Sequence, residues 1–416
     1  MRTYLTPRAA ARTIAAAALI ASTACSGFLE VENPNVIDAG AIDPLQDATM
    51  LANSGQQSYS SALGWLNMYG AWFTGEADVA ETFPTRNEYG RRDVTAANGS
   101  HNADVWFPLS QAAAANHFVI ELNLPNPTTN INYVRAHTWL GYSFVLMAAQ
   151  FCQGVVYGGP ALTTAIMLDS AIANFNSAIT IGTTNGTAAA VALANVSRVG
   201  LARALLQNGR AAQALVAAQA VPAGFTFSFT HVDDAGSRTR LSNRMWQFTF
   251  DRGSISVAPA YRVTDTRIAY RAPGQHTLSA QDANAGPFFI QQKYPAYTTS
   301  MRVASKLEAD YIEAEAGGST GDRLALIARR RTAGGLGAYA GPVDAASVLT
   351  ELMTQKHRDF WLEGQRFDDF RRNRANVLNV PVAGSTYFKP GFAPVGNQTC
   401  YPLPSAETDN NDNFRP

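Results

Sequence analysis

The chain has 416 residues, 46% hydrophobic and 15% charged, with 32 basic residues balancing 32 acidic ones. That is apolar material enough for one large domain or two ordinary ones, and too apolar for a disordered chain. Zero net charge gives no general basic field for nucleic acid, and 28 of the 32 basic residues are Arg, which suits fixed ion pairs better than Lys.

Residues 1–24 read as a targeting signal. Arg2, Arg8 and Arg12 form a positive region without an acid, and Ile14 to Ile20 is apolar but too short to span a bilayer as a helix. Ser22-Thr23-Ala24 then precede Cys25, as in a bacterial lipoprotein signal whose cysteine becomes the lipid-modified N-terminus. Ser22 stands where such signals usually carry Leu, so plain secretory cleavage is the alternative. No later segment reads as a membrane span. Cys25 apart, Cys152 and Cys400 are either a disulfide, which an exported compartment permits, or two unpaired packing cysteines.

Residues 26–44 have turn and extended character, and Asp43 or Asp47 is placed to cap a helix running towards Trp72. A loop is expected over 74–103, then a helix from about Asp104 to Asn123, stopped by Pro125 and Pro127. Asn132 is a candidate cap for a helix ending at Gly158-Gly159-Pro160. Leu168, Ile172, Phe175 and Ile179 lie at i, i+4, i+7 and i+11, one apolar helical stripe. Two Ala- and Leu-rich helices follow, joined at Asn208-Gly209 and closed by Pro222, a loose likeness to a tetratricopeptide hairpin. Phe225, Phe227 and Phe229 alternate with hydroxyl residues, which is strand periodicity. Loops and short strands should occupy the rest of 223–300. Helices are expected at about 302–316, 323–331 and 345–373, with a Pro- and Gly-rich, extended C-terminus from Val380.

These segments occur in an order that resembles the SusD/RagB family of outer-membrane lipoproteins. Cys25-Ser26-Gly27-Phe28-Leu29-Glu30 with Glu32-Asn33-Pro34 resembles the family's mature start. Tyr133 to Pro160, Leu168 to Ile179 and Val199 to Val221 resemble its repeat helices. Leu307 to Ala316 resembles the helix ending in Ala-Glu-Ala, Ile327 to Leu336 the Arg-rich segment after it, and Cys400-Tyr401-Pro402-Leu403-Pro404 the C-terminal Pro-x-Pro element. The most specific likeness is HRDFWLEGQRFDDFRRNR (357–374) with the two residues before it: Glu363, Gly364, Arg366, Asp369 and Arg372 agree with the family pattern, and Gln355, Lys356 and Asp359 depart from it.

The resemblance implies a mostly α-helical chain of tetratricopeptide-like helix pairs with an irregular loop and short-strand region packed on it. It implies a signal at 1–24, an N-terminal helical region at 25–222 and a C-terminal region at 223–416, the last two forming one compact unit. It also implies a cell-surface lipoprotein, anchored to the outer membrane through Cys25, that captures an oligosaccharide for a SusC-like TonB-dependent barrel. A peptide-capturing version of the same system is one alternative, an exported glycoside hydrolase a weaker one, and a scaffold without a small ligand weaker still.

The acids of 357–374 are the hydrolase candidates, since glycoside hydrolysis needs two carboxyls, one with a raised pKa. On one continuous helix, however, Glu363 and Arg366, Arg366 and Asp369, and Asp368 and Arg372 lie within a turn of each other. That reads as a structural ion-pair seam with lowered carboxyl pKa values. The six His are scattered with no metal-ligand spacing, and no cofactor motif appears. Ligand contacts fall instead to aromatic and planar polar residues of two loops: Phe83, Arg86, Tyr89 and Trp106 in the first, Tyr261, Tyr294 and Tyr297 in the second. Sugar rings stack on exposed aromatics, although each aromatic is more often a core residue.

Overall fold

The structure, a computed structural model, describes residues 43–414; Cys25 and the signal segment lie outside that range. The long helix expected from Asp43 runs as α1 (Pro44–Thr74). The helical region then continues through α2 (Pro84–Gly90), α3 (Phe107–Glu121), α4 (Ile131–Gln150), α5 (Thr164–Asn185), α6 (Ala188–Gln207) and α7 (Ala211–Gln219). From α3 onward each helix packs against its successor. Local capping explains the boundaries. Asn130, not Asn132, caps α4; Thr163 caps α5; Thr187 caps α6; Gly186 and Gly209 turn the chain with φ of 72°. Helix α4 stops at Gln150, before the Gly-Gly-Pro expected to end it, because Phe151 leaves to pair with Tyr401.

Phe175 joins three of these helices. It projects from α5 against Gly141 of α4 and Gly200 of α6, where an added Cβ would lie 2.8 Å and 2.4 Å from the ring. Close helix packing therefore depends on two glycines in helix interiors, where Ala would otherwise be favoured. Helix α6 is long and apolar enough to cross a membrane by length and composition, which corrects the expectation that no later segment is. More than half of its most apolar window is buried, and it packs against α4, α5 and α7, so its composition has a core explanation.

The irregular region contains three two-stranded antiparallel ribbons. β1 (Ala77–Val79) pairs with β3 (Ile255–Val257), β2 (Thr226–Phe229) with β6 (Met301–Ser305), and β4 (Tyr270–Arg271) with β5 (Ile290–Gln291). Two expectations change as a result. Residues 74–103 are not all loop, since they contain β1 and α2. The helix expected from about 302 begins at Lys306, because 301–305 is drawn into pairing with the Phe227/Phe229 strand; Ser305 then caps α8 (Lys306–Ala316). Helices α9 (Thr320–Ala333), α10 (Ala345–Asp359) and α11 (Arg366–Arg372) follow. The described residues from Ala48 onward fall in one compact unit.

The segment 357–374 is two helices and a turn, not one helix. Leu362 and Gly364 adopt φ of 60° and 76°, and a Cβ on Gly364 would lie 2.4 Å from Asn67 Oδ1. The turn separates Glu363 from Arg366, and although Arg366 and Asp369 share α11 the expected i,i+3 pair between them does not form, because each has other partners. Arg366 donates to the carbonyls of Thr74 and Leu378. Glu363 is held instead by Arg302 (2.9 and 3.0 Å) and Lys293 (2.6 Å). Asp359 takes Arg330 through both oxygens (2.8 and 2.6 Å) and Tyr311 (2.6 Å). Asp369 is fully buried and accepts from Lys356 (2.9 Å), His357 (3.0 Å) and Arg372 (2.6 Å). Arg372 also binds Asp368 and, through both its terminal nitrogens, Glu315 of α8. Arg371 donates to the carbonyls of Ala148, Ala149 and Phe151 at the end of α4.

Burial alone would raise the Asp369 carboxyl, but the Lys356 ammonium and the Arg372 guanidinium hold it well below the usual carboxylate range. Asp368 moves the other way. Its burial outweighs Arg372, and the ionised Asp369 beside it adds to the rise, so the expectation that every acid here is lowered does not hold. The cavity next to Glu363 and Asp368 has a volume of about 30 Å³. A cavity of that volume holds one or two waters.

Cys152 and Cys400 form a disulfide with Cα atoms 5.1 Å apart, resolving the choice that sequence left open. It ties the end of α4 to the C-terminal Pro-x-Pro element, whose Tyr401 is buried against Phe73, Phe151 and Phe367.

Three outcomes follow. Asp369→Ala should cost about 3–5 kcal/mol in denaturant unfolding, because it strands buried cations; near-wild-type stability would contradict the network. Gly200→Ala should destabilise by about 1–2 kcal/mol, the steric conflict outweighing the helix propensity gained. Combining it with Phe175→Leu should cost less than the sum of the single changes. Finally, burial raises the Glu76 carboxyl to about 7, with Arg366 and the Leu362 N–H only partly offsetting it. A raised folded-state pKa favours folding at low pH, and that contribution is lost as pH rises towards 7. Glu76→Gln should therefore match wild type near pH 4.5 and become progressively more stable than it by pH 8. The buried His101 and His357, lowered by burial to about 4, shift stability in the opposite sense but equally in both proteins.

Candidate ligand-binding face

Segment 243–252 carries two half-buried rings, Trp246 and Phe250, among the loops packed on the helices. Asn243 fixes its start. Its side chain accepts from Trp246 N–H (3.0 Å) and starts a short helical turn, while its own N–H and amide donate to the carbonyls of Tyr297 (2.8 Å) and Thr299 (2.9 Å). The turn widens into a π-helical stretch over Gln247–Asp251. Trp246 and Phe250, four residues apart, stack with centroids 5.4 Å apart and an interplanar angle of 20°.

Tyr297 leans on Trp246 with centroids 3.7 Å apart, and its hydroxyl donates to Asp251. Arg238 lies 4.6 Å over the Tyr297 ring. At the next residue, Arg252 covers Phe248 at 4.7 Å and reaches to 5.8 Å from the ring of Phe83, which is 44% exposed. Trp65 of α1 packs edge-on against Phe248, with Arg244 4.1 Å over its ring. Trp246, Phe250 and Tyr297 thus form one cluster of half-buried rings beside Arg238, and Arg252, two residues beyond Phe250, links the same segment to the exposed Phe83; together they make the candidate face.

Of the seven residues expected to contact a ligand, Phe83 and Tyr297 lie on this face. The other five are structural. Arg86 is buried and holds Glu81 (2.8 and 3.0 Å), the Tyr69 hydroxyl (3.0 Å) and Asp104 (3.2 Å), so its donors are directed inward. Tyr89 is fully buried with its hydroxyl on His101 Nδ1 (2.6 Å). Trp106 packs on Phe151 and donates to Glu407 (3.0 Å). Tyr261 is buried beside Trp361, and Tyr294 is buried with its amide on Gln291 (2.8 Å). None of these four rings offers a face to a ligand arriving from solvent.

The residues that sequence reasoning missed are Trp65, Trp246, Phe250 and Arg252. The signal was present in MWQFTFDRG (245–253), where Trp246 and Phe250 share a helical face and Arg252 follows. An aromatic pair at i,i+4 reads as core until the neighbouring elements are known. Among the described residues no group of three His, Cys, Asp or Glu side chains could hold a metal ion.

Neither the comparison with protein families nor that with curated proteins returns a match. Solved structures do match. A SusD-like carbohydrate binding protein from Bacteroides vulgatus aligns at 14% identity over 88% of this chain and 96% of that one, with a TM-score of 0.64. A laminarin binding SusD-like protein aligns at 14% identity over 88% and 97%, with a TM-score of 0.62. Surface glycan-binding protein A from Bacteroides uniformis aligns at 13% identity over 87% and 98%, with a TM-score of 0.59. At such identities the likeness is one of fold, and it runs through helix pairs and loop region alike: this chain has the SusD-like fold.

Proposed function

We propose that the protein is a glycan-capturing lipoprotein of the bacterial cell surface, anchored through Cys25, that binds an oligosaccharide on the Phe83–Trp246–Phe250–Tyr297 face and passes it to a TonB-dependent outer-membrane barrel. The observation that carries this reading is the face itself. A sugar ring has apolar C–H faces and polar edges, and the surface answers with aromatic planes bordered by Arg238, Asp251 and Arg252. The rings are set on elements pinned from beneath by the Arg86–Glu81 pair and by Asn243, so a ligand meets a surface formed in advance. The names carried by several proteins of the same fold support a carbohydrate as the ligand class. The work of such a site is binding, with no bond made or broken.

Calorimetry or affinity electrophoresis against a panel of oligosaccharides and oligopeptides should show retention of a glycan. Trp246→Ala and Tyr297→Ala should each weaken it by about 30-fold, the loss typical of a buried aromatic anchor. Tyr157→Ala, an exposed ring stacked on His117, should leave binding unchanged. Retention of peptides alone would reverse the ligand class, and retention of neither would overturn the reading. A pull-down from detergent-solubilised outer membranes should recover a barrel transporter; recovery of none would remove the delivery step.

A further inference from the structure

We propose that the face selects acidic oligosaccharides, with Arg252 as the specificity-determining residue that takes the sugar's carboxylate or sulfate; this rests on the reading of the site given above. The face has hydrogen-bond donors left over: the four acids and four arginines here balance in charge, but the Arg252 guanidinium is exposed and holds no carboxylate at short range. The acids around the face are already engaged by the protein. Glu81 is fully buried and accepts from Arg86 through both oxygens and from Ser254 Oγ (2.8 Å). Asp104 accepts from Tyr69 (2.5 Å) and Arg86 (3.2 Å). Asp233 pairs with Arg238 (2.8 Å), and Asp251 accepts the Tyr297 hydroxyl. Among the cations, Arg86 is held by Glu81, Arg238 pairs with Asp233 at the surface through Nε (2.8 Å) and covers the Tyr297 ring, and Arg244 is buried against Trp65 with Gln247 as an acceptor (2.7 Å).

Arg252 differs from these. Its side chain is 39% exposed, and its contact with a carboxylate is a long 3.7 Å approach to Glu81, whose oxygens are taken at shorter distances by Arg86 and Ser254. The guanidinium carbon lies 4.7 Å over the buried Phe248 ring, which anchors the side chain, and a guanidinium fork suits a planar anion. Phe83 stands 5.8 Å from it, close enough for one sugar unit to stack on the ring while its charged substituent reaches the arginine.

Three classes of fragment distinguish the outcomes: uronates (polygalacturonate), sulfated galactans and neutral glucans, each titrated against the mature protein. The wild type should bind an acidic class more tightly than the neutral one, and that preference should fall as salt rises. Arg252→Gln, checked for unchanged melting, should weaken the acidic ligand by about 10-fold more than the neutral one. Which acidic class is retained tells carboxylate from sulfate recognition. Equal or tighter binding of neutral glucans, or an equal loss of both classes in Arg252→Gln, would overturn the selectivity while leaving glycan capture standing. No binding of any glycan would overturn both.

Discussion

Burying the Asp369 carboxylate organises much of what surrounds it. An ion with no solvent exposure is tolerable only if cations and donors replace water around it, and Lys356, His357 and Arg372 must therefore converge from two helices on one point. Once Arg372 is fixed there, its remaining donors reach Glu315 on α8, while its neighbour Arg371 closes the end of α4. One acidic side chain thus sets the mutual position of α4, α8, α10 and α11. The same logic repeats outward, with Arg330 of α9 on Asp359, Arg302 of β6 on Glu363, and Arg203 of α6 on Glu308.

This explains why several separate stretches of sequence carry the family resemblance together. Glu308 and Glu315 belong to the Leu307–Ala316 segment, Arg330 to the Arg-rich segment, and Glu363, Asp369 and Arg372 to the 357–374 segment. Each stretch supplies the counter-charge for another, so none is interpretable alone. The Pro-x-Pro element enters the same assembly through Tyr401, packed on Phe73 and Phe367, with the adjoining disulfide on α4. High Arg and low Lys content is the compositional trace of this arrangement, since forked guanidinium groups satisfy two carboxylate oxygens or several carbonyls at once.

The loop region is tied to the core by a second node of the same kind. Arg86 and Glu81 lock α2 to the segment that follows β1, and Ser254, just before β3, bonds to Glu81 as well. Because this node uses up Arg86 and the rings of Tyr69 and Tyr89 beneath it, what remains for solvent is the layer above: Phe83, Trp246, Phe250, Tyr297 and Arg252. A rigid charged underlayer and an aromatic outer layer are therefore two consequences of one packing arrangement. The candidate ligand face is the side of that arrangement turned to water.

The sequence by itself determined the helix pairs, because a 3.6-residue apolar stripe and an Asn-Gly turn act within a few residues of one another. It also pointed to the β2 strand through the alternation at Phe225, Phe227 and Phe229, and to 357–374 as structural through its interleaved charges. It could not decide partners. Glu363 and Arg366 look like an ion pair by spacing, yet a turn at Leu362–Gly364, allowed by contact with Asn67 far away in the chain, separates them and sends each to another element. The same limit separated Phe83 and Tyr297 from Tyr89, Trp106, Tyr261 and Tyr294. All six are aromatic residues in or beside loops, and only the tertiary packing decides which rings lie under a neighbouring element and which face water. Residue type and spacing set what a side chain is able to do; long-range contacts, which no local pattern encodes, set whether it is in a position to do it.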